Sequence, residues 1–573
     1  MNYDELKQIN DKLRRVVPKE QLAHVENVVF ASDEVCSIKY HNTIKKVKIR
    51  QLVSKIEHRE ICLSNPSALT NWNFDKGMKM NISDNVSYGQ TLDELLMGKE
   101  KLKPRQIVKS ILNYCNNSTN GKICGVYGLR RTGKTYALFH SIIELKKQGK
   151  ECAYILLSVN DSLKVLYDDI NELVANGYDY IFIDEITYVT GFLQSANKLS
   201  DIFAQRNIHI TISGTFSYLL KIAGNTTLYD RLYRVNSTYI GYKEYDALHT
   251  EEISIIDYIH KGGILSTGGF SNEENAKNYV KTAISENIQN SLIKADNRKA
   301  YSHLLDLYDR NLLSKVVEQA IQATNETLTV NTIKKMYQNN DLGSSIQKLA
   351  DVFDYEHTLD IDNIEAFVAY MLHVVRQEQS IIDREYLNEL IGFLIDLDVV
   401  VKYDRDNGVN TMNVVLFTQP GLRYYQTEIL IEALRYNNSF AKLDRQFQDL
   451  LIEKIIQGIE GDLIEHEVLA SCIKHYMQSA HILQVSDQET NGEWDMVIAY
   501  EEFMDIYEIK RSDKRVENQC RWLVDERMRA KYERRLHRTI RDRYVLYRGE
   551  DADLMHKNYR IKYRNVETYL QSI

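Results

Sequence analysis

The segment GLRRTGKT, from Gly128 to Thr135, constrains the fold of this 573-residue chain more than any other feature. It fits the pattern GxxxxGK[ST], in which backbone N–H groups between a strand and a helix surround phosphate groups. KICGVYG before it has the character of a strand, and TYALFHSIIEL after it has the periodicity of a helix. The sequence therefore predicts a P-loop for ATP. The residues expected to contact the nucleotide are Gly128, Leu129, Arg130, Arg131, Thr132, Gly133, Lys134, Thr135 and Tyr136.

The chemistry of four residues gives them distinct expected roles. Lys134 is expected to reach the β and γ phosphates, and the Thr135 hydroxyl to ligate Mg²⁺. Further along, the apolar strand YIFIDE ends in two carboxylates, as a P-loop ATPase requires. Asp184 is expected to hold the Mg²⁺ shell, and Glu185 to polarise the attacking water as general base.

The next strand and the segment after it contain candidates for sensing and charge stabilisation. IHITISGT ends in Ser213 and Thr215, where a group that senses the γ phosphate is expected. Arg231 and Arg234 in LYDRLYRV are candidates for an arginine finger, within one chain or across the interface of a homo-oligomer. A surface arginine paired with Asp230 is an equally open interpretation.

The chain is too long for one hydrophobic core, and four segments are predicted. Residues 1–104 form an N-terminal extension of unknown role, with a helical start and basic strands. Residues 105–245 alternate strands and helices, which predicts an α/β fold with a parallel sheet flanked by helices. Residues 246–445 are mainly helical, and residues 446–573 read as helix, three strands, long basic helix and strand.

The helical middle segment contains one recognisable pattern. A helix around Arg384 to Leu397 leads into two β-rich runs joined by DNG, which predicts a hairpin. A helix followed by a hairpin suggests a winged helix. A purely structural helical spacer is the alternative.

Several of these segments together resemble a protein family. GLRRTGKT, YIFIDE, ISGTFSYLL, RLYRVNSTYIGYKEYDAL and YIHKGGIL are similar to segments of bacterial and archaeal AAA-type ATPases whose loop reads GxRRxGKT. In that family a PLSFxEF segment and a GGxP follow the sensor strand. Here IGYKEY lacks the proline, and Ile264 and Leu265 follow Gly262 and Gly263. The resemblance extends from about residue 105 onward. It implies a C-terminal PD-(D/E)xK domain, with a restriction-endonuclease-like α/β fold.

The last segment contains the residues that such a domain uses. Glu465 lies in a predicted helix, Asp495 on one strand, and Glu508 and Lys510 on the next. Phosphodiester hydrolysis needs carboxylates that bind Mg²⁺ or Mn²⁺ and a lysine that helps to activate water. We expect all four residues to be catalytic, with Asp495 and Glu508 as metal ligands. An inactive binding module is the alternative, because a D and an ExK are common in sequences.

Charge favours a nucleic-acid partner. The whole chain has a net charge of -8, yet 509–548 contains 14 Lys and Arg against 6 Asp and Glu, which is 14 - 6 = +8. A basic helix beside a metal site suits contact with the DNA backbone. The alternative is an ordinary solvated helix face.

Composition and the N-terminus predict where the protein acts. With 44% hydrophobic and 27% charged residues, no long apolar run and no export signal, we expect a soluble cytoplasmic protein without membrane contact. The seven cysteines form no CxxC pair, which disfavours zinc and disulfides. The leading hypothesis is an ATP-driven protein acting on DNA. The rival is a nucleotide-dependent regulatory or assembly switch with an inactive nuclease-like module.

Overall fold

A computed structural model gives the fold of the chain, which divides into two compact units. The first unit comprises Met1–Tyr127 and Lys134–Asn236. The second comprises Gly128–Gly133 and Ser237–Ile573, so the predicted phosphate-binding loop groups with the second unit except for Lys134 and Thr135. The residues that the structure describes are 28–30, 35–40, 43–48, 82–265, 273–295, 301–309, 312–338, 384–436 and 445–573.

Three short strands near the start of the chain form an antiparallel sheet. They are β1 (Val28–Phe30), β2 (Val35–Tyr40) and β3 (Thr43–Lys48). The pairing of β2 with β3 confirms the strands predicted in the basic segment SIKYHNTIKKVKIRQL. The helix predicted at the start of the chain lies outside the described residues.

Six strands form the central sheet of the first unit. They are β4 (Val86–Tyr88), β5 (Ile123–Tyr127), β6 (Cys152–Leu156), β7 (Tyr180–Asp184), β8 (His209–Ser213) and β9 (Leu232–Asn236). Their order is β4-β6-β7-β8-β5-β9, and only β4 runs antiparallel to its neighbour. This arrangement confirms the predicted α/β fold with a parallel sheet.

Helices cover both faces of this sheet. They are α1 (Gly89–Leu96), α2 (Ile107–Cys115), α3 (Lys134–Lys147), α4 (Leu163–Ala175), α5 (Phe192–Ser195) and α6 (Ser217–Asn225). On β7, Ile181 and Ile183 pack into a cluster with α4 and α6, whereas Tyr180 and Phe182 pack into a cluster with α1, α2 and α3. Every residue of β7 is buried, as in the middle of a parallel sheet.

The direction of the strands sets the position of the polar residues that follow them. Because β5, β7 and β8 are parallel neighbours, their carboxyl ends lie at the same edge of the sheet. Ligands of open α/β sheets bind at this edge. Asp184 and Ser213 end two of these strands, so their side chains meet there.

The second unit begins with a mainly helical region, as predicted. Its helices are α7 (Tyr242–Leu248), α8 (Ile255–Lys261), α9 (Glu273–Tyr279), α10 (Glu286–Ala295), α11 (Ser302–Asp309), α12 (Leu313–Gln338) and α13 (Arg384–Asp396). Nowhere in the described part of the chain is a helix long and apolar enough to cross a membrane.

The predicted hairpin is present directly after α13. It consists of β10 (Val400–Asp406) and β11 (Thr411–Phe417), and Gly408 in its turn has a left-handed φ of 86°. A further strand, β12 (His481–Asp487), pairs in parallel with β10. The hairpin is therefore an edge of the C-terminal sheet, and this pairing crosses the boundary predicted near residue 445. The division of this unit into separate domains stays a prediction.

The remaining strands complete an eight-stranded sheet in the order β11-β10-β12-β13-β14-β15-β17-β16. They are β13 (Gly492–Ala499), β14 (Phe503–Ile509), β15 (Thr539–Tyr547), β16 (Ala552–His556) and β17 (Tyr559–Asn565). The helices of this part are α14 (Pro420–Glu432), α15 (Arg445–Tyr476), α16 (Glu526–Leu536) and α17 (Val566–Ser572). The predicted order of helix, three strands, helix and strand is confirmed, and two further strands follow.

One prediction in this region is wrong in extent. The long basic helix expected between β14 and β15 is only α16, with 11 residues. Short 3₁₀ turns at Glu517–Cys520 and Trp522–Val524 precede it. The Asp525 side chain caps α16 by accepting from two backbone N–H groups, which fixes the start of the helix at this residue.

Candidate functional site

The backbone of the phosphate-binding loop has the conformation that its glycines allow. Gly128 has a φ of 154° and Gly133 a φ of 78°, both in the range that side chains disfavour. A Cβ atom on Gly128 would lie 2.1 Å from the carbonyl oxygen of Ser237, so no larger residue fits. Arg131 also has a positive φ, of 64°, without being a glycine.

Hydrogen bonds within the second unit hold this loop. The Thr132 hydroxyl donates to the Leu129 carbonyl at 2.8 Å, and the Ser237 hydroxyl donates to the Thr132 carbonyl at 3.1 Å. Both hydroxyl residues are almost fully buried. Ser237 lies over a hundred positions after the loop, within the segment RLYRVNSTYIGYKEYDAL, and the sequence did not predict its role. These two hydrogen bonds therefore fix the backbone of the loop between Leu129 and Thr132.

The predicted magnesium residues meet at the edge of the central sheet. The Thr135 hydroxyl donates to Asp184 Oδ2 at 2.7 Å, and Ser213 donates to Asp184 Oδ1. Asp184 is 1% exposed. A hydroxyl and a carboxylate are ligands that suit Mg²⁺ or its water shell, so these residues fit the cation. Lys134, the first residue of α3, is also buried.

Tyr154 belongs to this cluster, although no pattern in the sequence predicted it. Its hydroxyl donates to Asp184 Oδ2 at 3.0 Å. Burial, and then the charge of Asp184, raises the pKa of Tyr154, which therefore stays a neutral donor. Because β6 is the neighbour of β7, a tyrosine at its middle can support the carboxylate from the side.

Glu185 follows β7 and is held by one residue. Thr215 donates from its backbone nitrogen to Glu185 Oε2 at 2.8 Å and from its hydroxyl to Oε1 at 2.7 Å. Glu185 has a φ of 61°, and Thr215 is 3% exposed. The two predicted sensors thus contact carboxylates, Ser213 on Asp184 and Thr215 on Glu185. Their role towards the γ phosphate stays a prediction.

The two predicted arginines lie elsewhere in the first unit. The Arg231 carbonyl accepts a hydrogen bond from the Ile123 nitrogen. Ile123 is at the amino end of β5, roughly 13 Å along the strand from Tyr127 at its carboxyl end. Its guanidinium lies 3.5 Å from Asp201, whereas Asp230 pairs with Lys122. Arg231 is therefore at the edge of the sheet opposite Asp184 and Ser213, and a role as arginine finger within one chain is not favoured by this position.

Arg234 has a local structural contact. Its guanidinium donates at 2.6 Å to the Gly224 carbonyl and at 2.6 Å to Asn225 Oδ1, at the carboxyl end of α6. A cation at this end of a helix binds its last carbonyl groups. Tyr136, the last residue predicted for the nucleotide, is largely exposed and contacts the Phe139 ring.

The C-terminal sheet brings three of the four predicted catalytic residues together. Lys510 Nζ lies 2.7 Å from Glu508 Oε2 and 3.0 Å from Asp495 Oδ2. The Ile509 nitrogen also donates to Asp495 Oδ2, at 2.7 Å. Both carboxylates are almost fully buried on the neighbouring strands β13 and β14. Burial raises the pKa of Glu508 above its ordinary value, and the charge of Asp495 adds to this, although Lys510 opposes it.

The fourth residue, Glu465, lies on α15 and is half-buried. Burial lowers the pKa of Lys510, but the charges of Asp495, Glu508 and Glu465 together raise it above its ordinary value. Within the described ranges, however, no three acidic, histidine or cysteine side chains are grouped closely enough to hold a metal ion. The expected role of Asp495 and Glu508 as metal ligands, and of Glu465 and Lys510 as catalytic residues, stays a prediction.

Many cations of the basic segment are already paired with carboxylates of the same unit. Arg535 pairs with the buried Asp406, Arg541 with Asp505, and Lys531 with Asp487. On α16, Arg527 and Arg534 are exposed and have no carboxylate partner among the described residues. They lie seven positions apart and share a helix face. The charge that is free for a partner is therefore smaller than the sequence sum.

A buried carboxyl that the sequence did not predict lies on α15. Glu467 is 3% exposed and accepts from the Tyr242 nitrogen at 3.1 Å, the Tyr258 hydroxyl at 3.1 Å and the Ser471 hydroxyl at 3.0 Å. Burial raises its pKa to about 7, despite these donors. It joins α15 to α7 and α8 inside the core of the second unit.

Comparison with known proteins supports the ATPase part of this description. Residues 120–245 match a family model described as "AAA domain". Comparison with curated proteins gives no match. The family match supports a P-loop ATPase of the AAA type in residues 120–245.

Two solved structures are similar at low identity. The Walker-type ATPase PabY2304 of Pyrococcus abyssi is 12% identical, with 57% of this chain and 98% of that chain covered and a TM-score of 0.26. A chain of the S. cerevisiae Hsp104:casein complex in its extended conformation is 15% identical, with 57% and 61% covered and a TM-score of 0.25. These scores are too low for the two structures to add to the assignment.

Proposed function

We propose that this chain is an ATP-hydrolysing protein that acts on DNA and cleaves it at a metal-dependent site in its C-terminal sheet. In the ATPase domain, the loop from Gly128 to Thr135 and Tyr136 bind the nucleotide, and Lys134 neutralises its β and γ phosphates. Thr135 and Asp184 hold Mg²⁺, which supplies charge stabilisation when bound. Glu185 takes the proton of the attacking water.

A single observation carries the nuclease part of the proposal. The Lys510 ammonium lies within hydrogen-bonding distance of two buried carboxylates on neighbouring strands. The other carboxylate oxygen, Glu508 Oε1, is buried and has no hydrogen-bond partner among the residues that the structure describes. A buried acceptor without a donor is costly, and a divalent cation would satisfy it. Mg²⁺ or Mn²⁺ held by Asp495 and Glu508 would supply the charge that phosphodiester hydrolysis needs.

DNA docking is proposed for the exposed face of α16. Arg527 and Arg534 project from this face, and His537 follows directly after the helix. Each phosphate that a cation neutralises releases counterions, so affinity should fall as salt rises. Changing both arginines to glutamine should reduce the slope of log affinity against log salt concentration by about 2, because two phosphate contacts are lost. A matched change of Lys531, which pairs with Asp487, should alter the slope less.

The nuclease activity is tested by cleavage of plasmid and single-stranded DNA with Mg²⁺ or Mn²⁺. Asp495→Asn should abolish cleavage and preserve DNA binding, because it removes a metal ligand and no surface cation. Asp513→Asn, which changes an exposed carboxylate of the same sheet region, is the control and should cleave as wild type does. Equal cleavage by Asp495→Asn would exclude this site.

The rival function is a nucleotide-dependent switch with an inactive nuclease-like module. The absence of a three-ligand metal group in the described residues, and the pairing of Arg535 and Arg541, favour it. Binding of DNA with a steep salt dependence but without cleavage by wild type would support this rival. Neither binding nor cleavage would exclude DNA as the partner.

A further inference from the structure

The side chain of Arg131 contacts an aromatic ring within the second unit. Its guanidinium carbon lies 5.7 Å from the centre of the Tyr279 ring, close enough for a cation–π contact. Arg131 itself is exposed, whereas Tyr279, the last residue of α9, is completely buried. The contact therefore connects a residue of the phosphate-binding loop to a fixed point in the helical region.

The backbone of Arg131 has a second connection to the same region. Its carbonyl accepts from the Leu265 nitrogen at 2.8 Å. Beside it, Arg130 lies 3.9 Å from Glu286 at the start of α10. A left-handed backbone at a residue other than glycine persists only where the surroundings hold it. Leu265 and Tyr279 hold Arg131 in that conformation.

Gln419 connects the two groups that contact Arg131. The Gln419 side chain donates to the Tyr279 hydroxyl at 2.8 Å. Gln419 also packs on Gly263, where a Cβ would lie only 3.0 Å from the Gln419 Cα atom. Gly263 has a φ of 95° and stands two positions before Leu265. Gln419 therefore contacts both the turn before Leu265 and Tyr279, whose ring lies against Arg131.

We propose that Tyr279 is a positioning residue for ATP: it keeps Arg131, and with it the phosphate-binding loop, in the shape that binds phosphate. The inference rests on the proposed binding of ATP at this loop. Because the linkage is reciprocal, occupation of the loop by phosphates stabilises the segment Glu273–Tyr279. Arg130 and Arg131 thus connect the nucleotide to the helical region.

The test compares variants of the full chain in titrations with Mg²⁺ and a non-hydrolysable ATP analogue, and in ATPase kinetics. Tyr279→Leu should weaken analogue binding about threefold and raise KM with kcat nearly unchanged, because it removes the ring but no reacting group. Tyr279→Phe keeps the ring and should bind more tightly than Tyr279→Leu. The double variant Arg131→Gln with Tyr279→Leu should lose no more affinity than Arg131→Gln alone.

A second readout follows the transmitted effect. In wild type the analogue should slow hydrogen exchange in Glu273–Tyr279, and in Arg131→Gln it should not. If Tyr279→Leu fails to fold, Arg131→Lys against Arg131→Gln replaces it, since only the lysine keeps the cation. Additive losses, or equal losses in Tyr279→Phe and Tyr279→Leu, would overturn the inference. Wild type that does not bind the analogue would instead refute ATP binding itself.

Discussion

Thr215 donates two hydrogen bonds to Glu185, one to each carboxylate oxygen. One residue thus fixes the orientation of the proposed general base through a backbone and a side-chain group. Because the backbone donor cannot be mutated away, the hydroxyl alone can be tested by substitution.

Thr215→Val should lower kcat of ATP hydrolysis about tenfold, because one of the two hydrogen bonds that orient Glu185 is lost. ATP affinity should stay near that of wild type. Thr215→Ser keeps the hydroxyl and should retain most of the rate. A fall in ATP affinity at an unchanged kcat would instead assign Thr215 to sensing the γ phosphate, as the sequence predicted.

Glu185→Gln should bind ATP and hydrolyse it about 100-fold more slowly or worse, since the amide keeps the shape but cannot accept the proton. Single-turnover hydrolysis with excess protein measures the chemical step directly. A rate equal to that of wild type would assign the general base to another residue.

Lys134→Ala should abolish tight ATP binding, with affinity reduced about 100-fold, because the ammonium that pairs with phosphate oxygens is removed. Titration with a fluorescent ATP analogue gives the dissociation constant. The matched variant Lys147→Ala, at the exposed end of the same helix, should bind as wild type does. Equal affinities of the two variants would contradict the role of Lys134.

Arg231→Ala should reduce ATPase activity about 10³-fold if this arginine completes the site of a neighbouring subunit. Specific activity of wild type should then rise with protein concentration. Mixing Arg231→Ala with Glu185→Gln chains should restore activity, because each supplies what the other lacks. Asp201→Ala, which removes the ion-pair partner of Arg231, is the control and should remain active. No restoration on mixing would leave Arg231 as a surface residue.

Glu467 should make the second unit less stable as pH rises through neutrality. Its pKa is about 7 when folded, above its ordinary value of 4.5, so the folded state keeps a proton that the unfolded chain has lost. The contribution of protonated Glu467 to the free energy of unfolding is fully present below about pH 4.5. It is lost as pH rises through about 7, a change of at most about 3 kcal/mol.

The measurement for Glu467 is the midpoint of thermal unfolding between pH 4.5 and pH 8. Glu467→Gln should remove the decline, because the amide cannot ionise. Glu453→Gln, an exposed position on the same helix, should retain it. An unchanged decline in Glu467→Gln would assign the pH dependence to other groups.

The sequence predicted those features whose residues are close together in the chain or follow a strand. The loop, Asp184, Glu185 and the parallel sheet belong to this class, because parallel strands carry the residues at their carboxyl ends to one edge. Asp495, Glu508 and Lys510 were also brought together as predicted, since β13 and β14 are adjacent in the chain and in the sheet.

The features that the sequence missed depend on partners far away in the chain. Ser237 and Leu265 hold the loop from over a hundred positions downstream. Both lie in segments that resemble the family, but the sequence assigned neither of them this role. The sequence did not show that Arg535 of the basic segment is paired, because its partner Asp406 lies 129 residues before it. Net charge along a segment reports composition, whereas charge available to a ligand depends on the pairs that the fold makes.

The parallel pairing of β10 with β12 has a consequence for any attempt to isolate the C-terminal part of the chain. A fragment starting at residue 446 would lack β10, so the N–H and C=O groups of β12 that face Asp404 and Asp406 would form an open edge. Open edges recruit other strands and lead to aggregation. The same fragment would leave Arg535 without its carboxylate. Starting the fragment before Arg384 keeps β10 and therefore keeps this edge of β12 covered.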